Sequence, residues 1–254
     1  MMIKEPIDAE SGTLPAFEST LVVAFPDVLM AGPKILLSSA HATSQGTSIP
    51  AWSHFCTTPV PTNKRSTASA TTTAPSASSN RKKRAEENAI RYSAVPAGGI
   101  GLLTITIAPP TNEQSSYLCE AIVHQARVSG TKRIVLVAAS NFSSKVQDTH
   151  IVQLHQEGLL GLAALPKNVS LGDHVLSTFL TLLTYIDIPT TALVHPAKKG
   201  TNLRETRTII ESLTRALGMA IGGPASAEFS SDKAFNYNTS TSEEEASVES
   251  MMYL

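Results

Sequence analysis

The segment Lys132-Arg-Ile-Val-Leu-Val-Ala-Ala139 carries its apolar residues in unbroken succession from Ile134. A strand with one wet face alternates apolar and polar side chains. An unbroken run is what a strand buried on both faces carries, and such strands belong to parallel sheets covered by helices. The flanking text repeats the theme. Ile100 to Ala108 is a β-type run closed by Pro109-Pro110, and Tyr117, Leu118, Ile122 and Ala126 follow at near-helical spacing, with an N-cap near Asn112 and a stop at Gly130. After the Lys132 strand, Asp173 caps a helix over Val175 to Ile186, and Thr190 to His195 is the next strand. Asn202 starts a last helix with Leu203, Ile210, Leu213 and Leu217 on one stripe, ended by Gly222-Gly223-Pro224. This alternation predicts an α/β fold, a mostly parallel sheet with helices on both faces.

The N-terminal part reads less regularly. Thr20 to Phe25 is a first strand, and Leu29 to Ser39 a short strand or helix after a turn. Ile90 to Val95 and the strand from Ile100 form a hairpin around Gly98-Gly99. His150 and His155 fall in a polar connection, Leu159 to Leu165 in a weak strand, and the Val175 helix is apolar round most of its circumference, which predicts burial on more than one side. Residues 67–80 contain no large apolar side chain, so the stretch cannot offset the entropy of ordering it. The expected organisation is residues 1–58 as the first part of the α/β domain, 59–88 as a disordered low-complexity insertion, 89–222 as its main part, and 223–254 as a flexible tail.

Charge narrows the partners. A net charge of −1 provides no global field for nucleic acid or an anionic membrane surface. The longest apolar stretch, from Val175 to Ile188, is interrupted by polar residues and too short to span a bilayer, and the N-terminus lacks the pattern of a signal peptide. The expected location is therefore the cytoplasm, with the nucleus a further site suggested by the basic cluster Arg81-Lys-Lys-Arg84, which reads somewhat more readily as a solvated charge cluster in a loop.

No catalytic, cofactor-binding or metal-ligating residue is assigned. Gly98-Gly99-Ile-Gly101 precedes its strand, whereas a phosphate loop follows one, so it reads as a hairpin turn. Cys56 and Cys119 lack zinc-site spacing, and Cys119 reads as a small buried hydrophobe. The histidines are scattered; His150 and His155, five apart, do not share a helical face, and surface or capping roles are expected for them. An enzymatic alternative, a phosphorylase-like or hydrolase-like α/β fold, would need groups at the carboxyl ends of strands, near Ala139-Ser140-Asn141 and His195.

The chain ends Met252-Tyr253-Leu254. Such an end offers an apolar anchor, an aromatic ring with a polar tip and a terminal carboxylate, which a pocket with a cation and backbone donors can hold. Upstream stand Pro166-Lys-Asn168-Val, Asp173-His-Val-Leu176-Ser and Ile188-Pro189-Thr-Thr-Ala-Leu193, followed by a helix rich in Leu and Ile. Together these resemble the type-1 proteasome assembly chaperone family, over about the last 150 residues. The resemblance implies a non-enzymatic chaperone of core-particle assembly that pairs with a second, related chaperone. It further implies docking on proteasome α-subunits through Met252, Tyr253 and Leu254, with a pocket lysine meeting the Leu254 carboxylate.

Overall fold

The computed structural model describes residues 14–39, 47–49, 90–95, 98–109, 111–144, 146–156, 161–166 and 169–237. The expected insertion at 59–88, the basic cluster Arg81 to Arg84 and the terminal Met252-Tyr253-Leu254 lie outside the described residues.

The chain runs β1 (Thr20–Ala24), α1 (Ala31–Leu37), β2 (Thr47–Ile49), β3 (Ile90–Val95), β4 (Ile100–Ile105), α2 (Asn112–Val128), β5 (Arg133–Ser140), β6 (His150–Leu154), β7 (Ala163–Ala164), α3 (His174–Thr184), β8 (Thr190–Pro196), α4 (Leu203–Ile221), a 3-10 turn (Pro224–Glu228) and α5 (Ser231–Asn236). The strands form one sheet in the order β2-β3-β4-β1-β5-β8-β6-β7. Its centre, β4-β1-β5-β8, is parallel throughout. Antiparallel pairs flank it, β3 with β4 on one side and β6 with β8 on the other. With β6 and β7 also parallel, four of the seven pairings are parallel, and the sheet is mostly parallel as expected.

The unbroken apolar run of β5 has its predicted cause. Ile134, Leu136 and Ala138 join the core under α2 and α3, while Val135, Val137 and Ala139 join the core under α1, α4 and α5. Leu118 and Ile122 of α2 and Phe179 and Leu183 of α3 fill the first layer, where the Phe25 and Phe179 rings meet edge to face at 5.2 Å. Ile210, Leu213 and Leu217 of α4 fill the second, with Ile35 and Leu36 of α1.

The helix starts follow the polar caps. The Asp173 carboxylate accepts from the Leu176 N–H at 3.1 Å, and the Asn202 side chain accepts from the Glu205 N–H at 2.9 Å. At α2 the cap is one residue earlier than expected: the Thr111 hydroxyl accepts from the Gln114 N–H, and Asn112 is already helical. The run from Leu29 to Ser39 resolves as the helix α1. Asp27 holds its start. One carboxylate oxygen accepts from the N–H groups of Leu29 and Ala31, both at 2.9 Å, and the other from Gly32 at 2.8 Å and Ala139 of β5 at 3.1 Å. α1 lies so close to the sheet that a Cβ on Gly32 would sit 2.3 Å from the Val137 carbonyl oxygen. The β3–β4 turn contains Gly99 at φ +60, as the hairpin reading requires.

Several expectations are corrected. The polar connection holding His150 is the strand β6, which the isolated sequence conceals because its strand character depends on pairing with β8. Of the weak strand expected from Leu159 to Leu165, only Ala163–Ala164 pairs, with β6. Helix α3 is fully buried on one side only: Val175, Leu176, Phe179 and Leu183 face the sheet, Leu180 and Leu182 are half-buried, and Tyr185 at its end is 83% exposed. Leu203 leaves the stripe assigned to it and is 78% exposed, while Ile210, Leu213 and Leu217 of the same stripe are buried. The flexible tail does not begin at residue 223. Ala225, Phe229 and Ala234 are buried against α1 and α4, so the packed part of the chain continues through α5.

Candidate functional site at the carboxyl ends of the parallel strands

β5 and β8 are parallel neighbours, with Ala139 paired to His195 and Ser140 to Pro196 at their carboxyl ends. Beyond these ends the chain diverges. Phe142, after β5, packs into the core under α2 and α3, whereas Ala197, after β8, joins the opposite core and leads into α4. Neighbouring parallel strands whose connections leave to opposite faces open a crevice between them, the usual location of ligand sites in such sheets. A cleft of about 890 Å³ lies there, lined on one side by Phe142, Ser143 and Gln147, and on the other by His195, Lys198 and Arg204.

His195 is the buried polar side chain of the lining, and His150 and Ser140, buried nearby, do not line the cleft. His195 is 3% exposed and lies on the α4 side of β8, two residues from Leu193 of the same core. Its Nδ1 is 2.8 Å from the Pro196 carbonyl oxygen, which can only accept, so Nδ1 carries the proton. Nε2, buried, is left as an acceptor without a partner among the described residues. Burial pushes the imidazole pKa down, against the Pro196 carbonyl and the charge of Asp148, so the ring stays neutral near pH 7.

His150, 2% exposed, opens β6 beside it. Its Nε2 lies 2.8 Å from the Ser144 hydroxyl and 3.2 Å from the Val146 carbonyl oxygen, while its Nδ1 is buried and unpartnered. The Ser140 hydroxyl is a third buried group with no partner among the described residues. On the α4 side, the Ser212 hydroxyl donates to Asp148, holding that carboxyl below its usual range, and Thr149 Oγ1 lies 2.6 Å from Ser212 Oγ. Asp148 and His195 interact through space but form no hydrogen bond or close ion pair.

Surface or capping roles for the histidines therefore fail at His150 and His195, which pairing between β5, β8 and β6 draws into the interior. His155 is exposed beyond the end of β6, with φ at 55 and Nε2 3.0 Å from the Leu183 carbonyl oxygen. Ser140 and His195, named for the enzymatic alternative, sit on adjacent strands but on opposite faces of the sheet, Ser140 following Ala138 of the core under α2 and α3 and His195 following Leu193 of the other. Lys198, Lys199 and Asp148 were not singled out; a cationic pair between a strand and an Asn-capped helix is the signal that could have marked the first two. Cys119 is buried as expected, with its thiol pushed up to about 12 by desolvation. No group of three His, Cys, Asp or Glu residues among the described residues is arranged to hold a metal ion, and no described helix is long and apolar enough to cross a membrane.

The architecture is that of a doubly wound α/β protein with antiparallel edges. No protein-family model and no curated protein matches the chain. Among solved structures it is similar to PbaA of Pyrococcus furiosus, an archaeal homolog of proteasome-assembly chaperone, in its monoclinic form. The TM-score is 0.54 at 13% identity, over 96% of this chain and 90% of that one. A second structure of PbaA gives 0.49 at 13% identity over 85% and 88%. PbaB of the same organism, an archaeal proteasome activator, gives 0.47 at 9% identity over 96% and 98%. At these identities the likeness to the first of them is one of fold.

Proposed function

We propose that this chain is a proteasome assembly chaperone that pairs with a related chaperone and docks on the α-ring through Met252-Tyr253-Leu254. The observation that carries the reading is the fold shared along nearly the whole chain with the archaeal homolog of proteasome-assembly chaperone. The terminal tripeptide adds chemistry suited to docking, a buried-anchor side chain, a phenol and a carboxylate in sequence. The end of α3 adds a small apolar surface for a partner, Tyr185 at 83% exposure beside the half-buried Leu182 and Ile186. In this reading the chaperone acts in the cytoplasm and nucleus and is not an enzyme.

The test is binding of the co-expressed pair to purified α-rings. Removing Met252, Tyr253 and Leu254 removes a charge-assisted contact worth about 1.5 to 3 kcal/mol, so affinity should fall about tenfold to hundredfold at unchanged melting temperature. A tag fused after Leu254 keeps every side chain but displaces the carboxylate, and should do similar harm. Unchanged binding after both alterations would sink the docking role of the terminus. The pairing is tested separately by the mass of the co-expressed chains in solution, where a one-to-one complex is expected and a lone monomer indifferent to the related chaperone contradicts it.

A further inference from the structure

We infer that the cleft between the carboxyl ends of β5 and β8 binds a small phosphomonoester that also carries hydroxyl groups, a phosphorylated sugar or polyol. The first observation is charge. Lys198, Lys199 and Arg204 line the cleft, and none is paired with a carboxylate among the described residues. Glu205 is the single carboxylate among the lining side chains. The amino end of α4, a helix of 19 residues, opens on the same space. Its Asn202 cap takes the Glu205 N–H, and the Leu203 and Arg204 N–H groups find no acceptor among the described residues. Free N–H groups, the helix dipole and three cations converge on one place, which favours a group of more than one negative charge.

The second observation is independent of charge and calls for a hydrogen-bond donor. His195 Nε2 is a buried acceptor in the wall of the cleft without a donor, its ring fixed by the bond from Nδ1 to the Pro196 carbonyl. The phosphate of a monoester dianion has no proton to offer it, whereas a hydroxyl on the body of the same ligand has. Glu205 is a second acceptor for the same kind of donor. The volume of about 890 Å³ matches an organic ligand and far exceeds one anion. The phosphate then sits at the start of α4, and the hydroxyl-bearing body lies over His195.

The experiment titrates the full chain with ribose 5-phosphate, glucose 6-phosphate, glycerol 3-phosphate, ribose and inorganic phosphate, following heat and the His195 ring resonances. At least one phosphorylated polyol is expected to saturate the protein at least about tenfold more tightly than inorganic phosphate and to shift the Nε2 signal, while ribose stays weaker still. Lys198→Ala with Arg204→Ala alters only exposed residues and should weaken binding about tenfold or more at unchanged melting temperature. His195→Asn keeps a donor toward the Pro196 carbonyl and has no acceptor at the Nε2 position, so it should bring the phosphorylated polyol down to the affinity of inorganic phosphate. Absence of saturable binding by all three phosphorylated compounds up to about 10 mM overturns the inference. So does equal affinity for inorganic phosphate in the wild type, or binding indifferent to the Lys198 and Arg204 changes.

Discussion

At the scale of single residues, Asp27 is the side chain on which most depends. It is buried with four N–H donors around it, and burial pushes its carboxyl up to about 6 while those donors pull the other way. Above that value it is ionised, and its two oxygens satisfy the start of α1 and the end of β5 together. Its pKa is raised on folding, so its titration adds stability that is fully present below the unfolded value of 3.8 and lost as pH rises through about 6. That interval corresponds to on the order of 3 kcal/mol. Asp27→Asn does not titrate and turns an N–H₂ group toward two of the four donors, leaving them unsatisfied at a cost of about 1–3 kcal/mol each. Urea unfolding of both proteins from pH 7 to pH 4 should show the variant less stable throughout and the gap widening as pH falls. A gap that narrows toward pH 4 would mean that hydrogen bonding outweighs burial and that the carboxylate is held ionised.

Elements differ in how openly the sequence declares them. β5 and β8 are legible as buried strands because both their faces are apolar, and α3 and α4 because Asp173 and Asn202 mark their starts. β6 is not, since His150-Ile-Val-Gln-Leu154 is short and flanked by polar text, and only its ladder with β8 makes it a strand. α5 is six residues with one fully buried side chain, Ala234, too little to signal a helix without α1 and α4 to pack on. The cleft was legible only as residue types, because it arises where two loops part, and His195 and Lys198 belong to one site only once β8 and α4 are placed. The packing of α5 has a measurable consequence. A chain ended after Tyr237 should melt like the full chain, whereas one ended after Gly222 loses the buried Phe229, Ala225 and Ala234. Loss of a buried Phe alone costs about 3–5 kcal/mol, which in a domain of this size lowers the melting temperature by roughly 10 °C. Equal melting of the two truncated chains would make the last helix an ornament of the fold.

For the molecule as a whole, the sheet is organised from the middle outward. The parallel strands β1, β4, β5 and β8 are covered on both faces, while β7 at one margin is two exposed residues long. Hydrogen exchange should accordingly be slowest along the four central strands, approaching the rate set by global unfolding, and fastest at β7. Fast exchange in β1 would show that its place between β4 and β5 does not protect it. The position of β1 also bears on how the protein is made. It is the first of the described strands to be synthesised, yet its partners begin at Ile100 and Arg133, so Val22 meets Leu102 and Val135 only roughly 80 and 110 residues later. At bacterial to eukaryotic elongation rates of about 5–20 residues per second, Leu21 to Phe25 leave the ribosome about 5–20 s before the sheet can close around them. During that interval the future centre of the protein is a naked apolar segment on a nascent chain, and whatever shields it there governs how much of the product reaches the folded state.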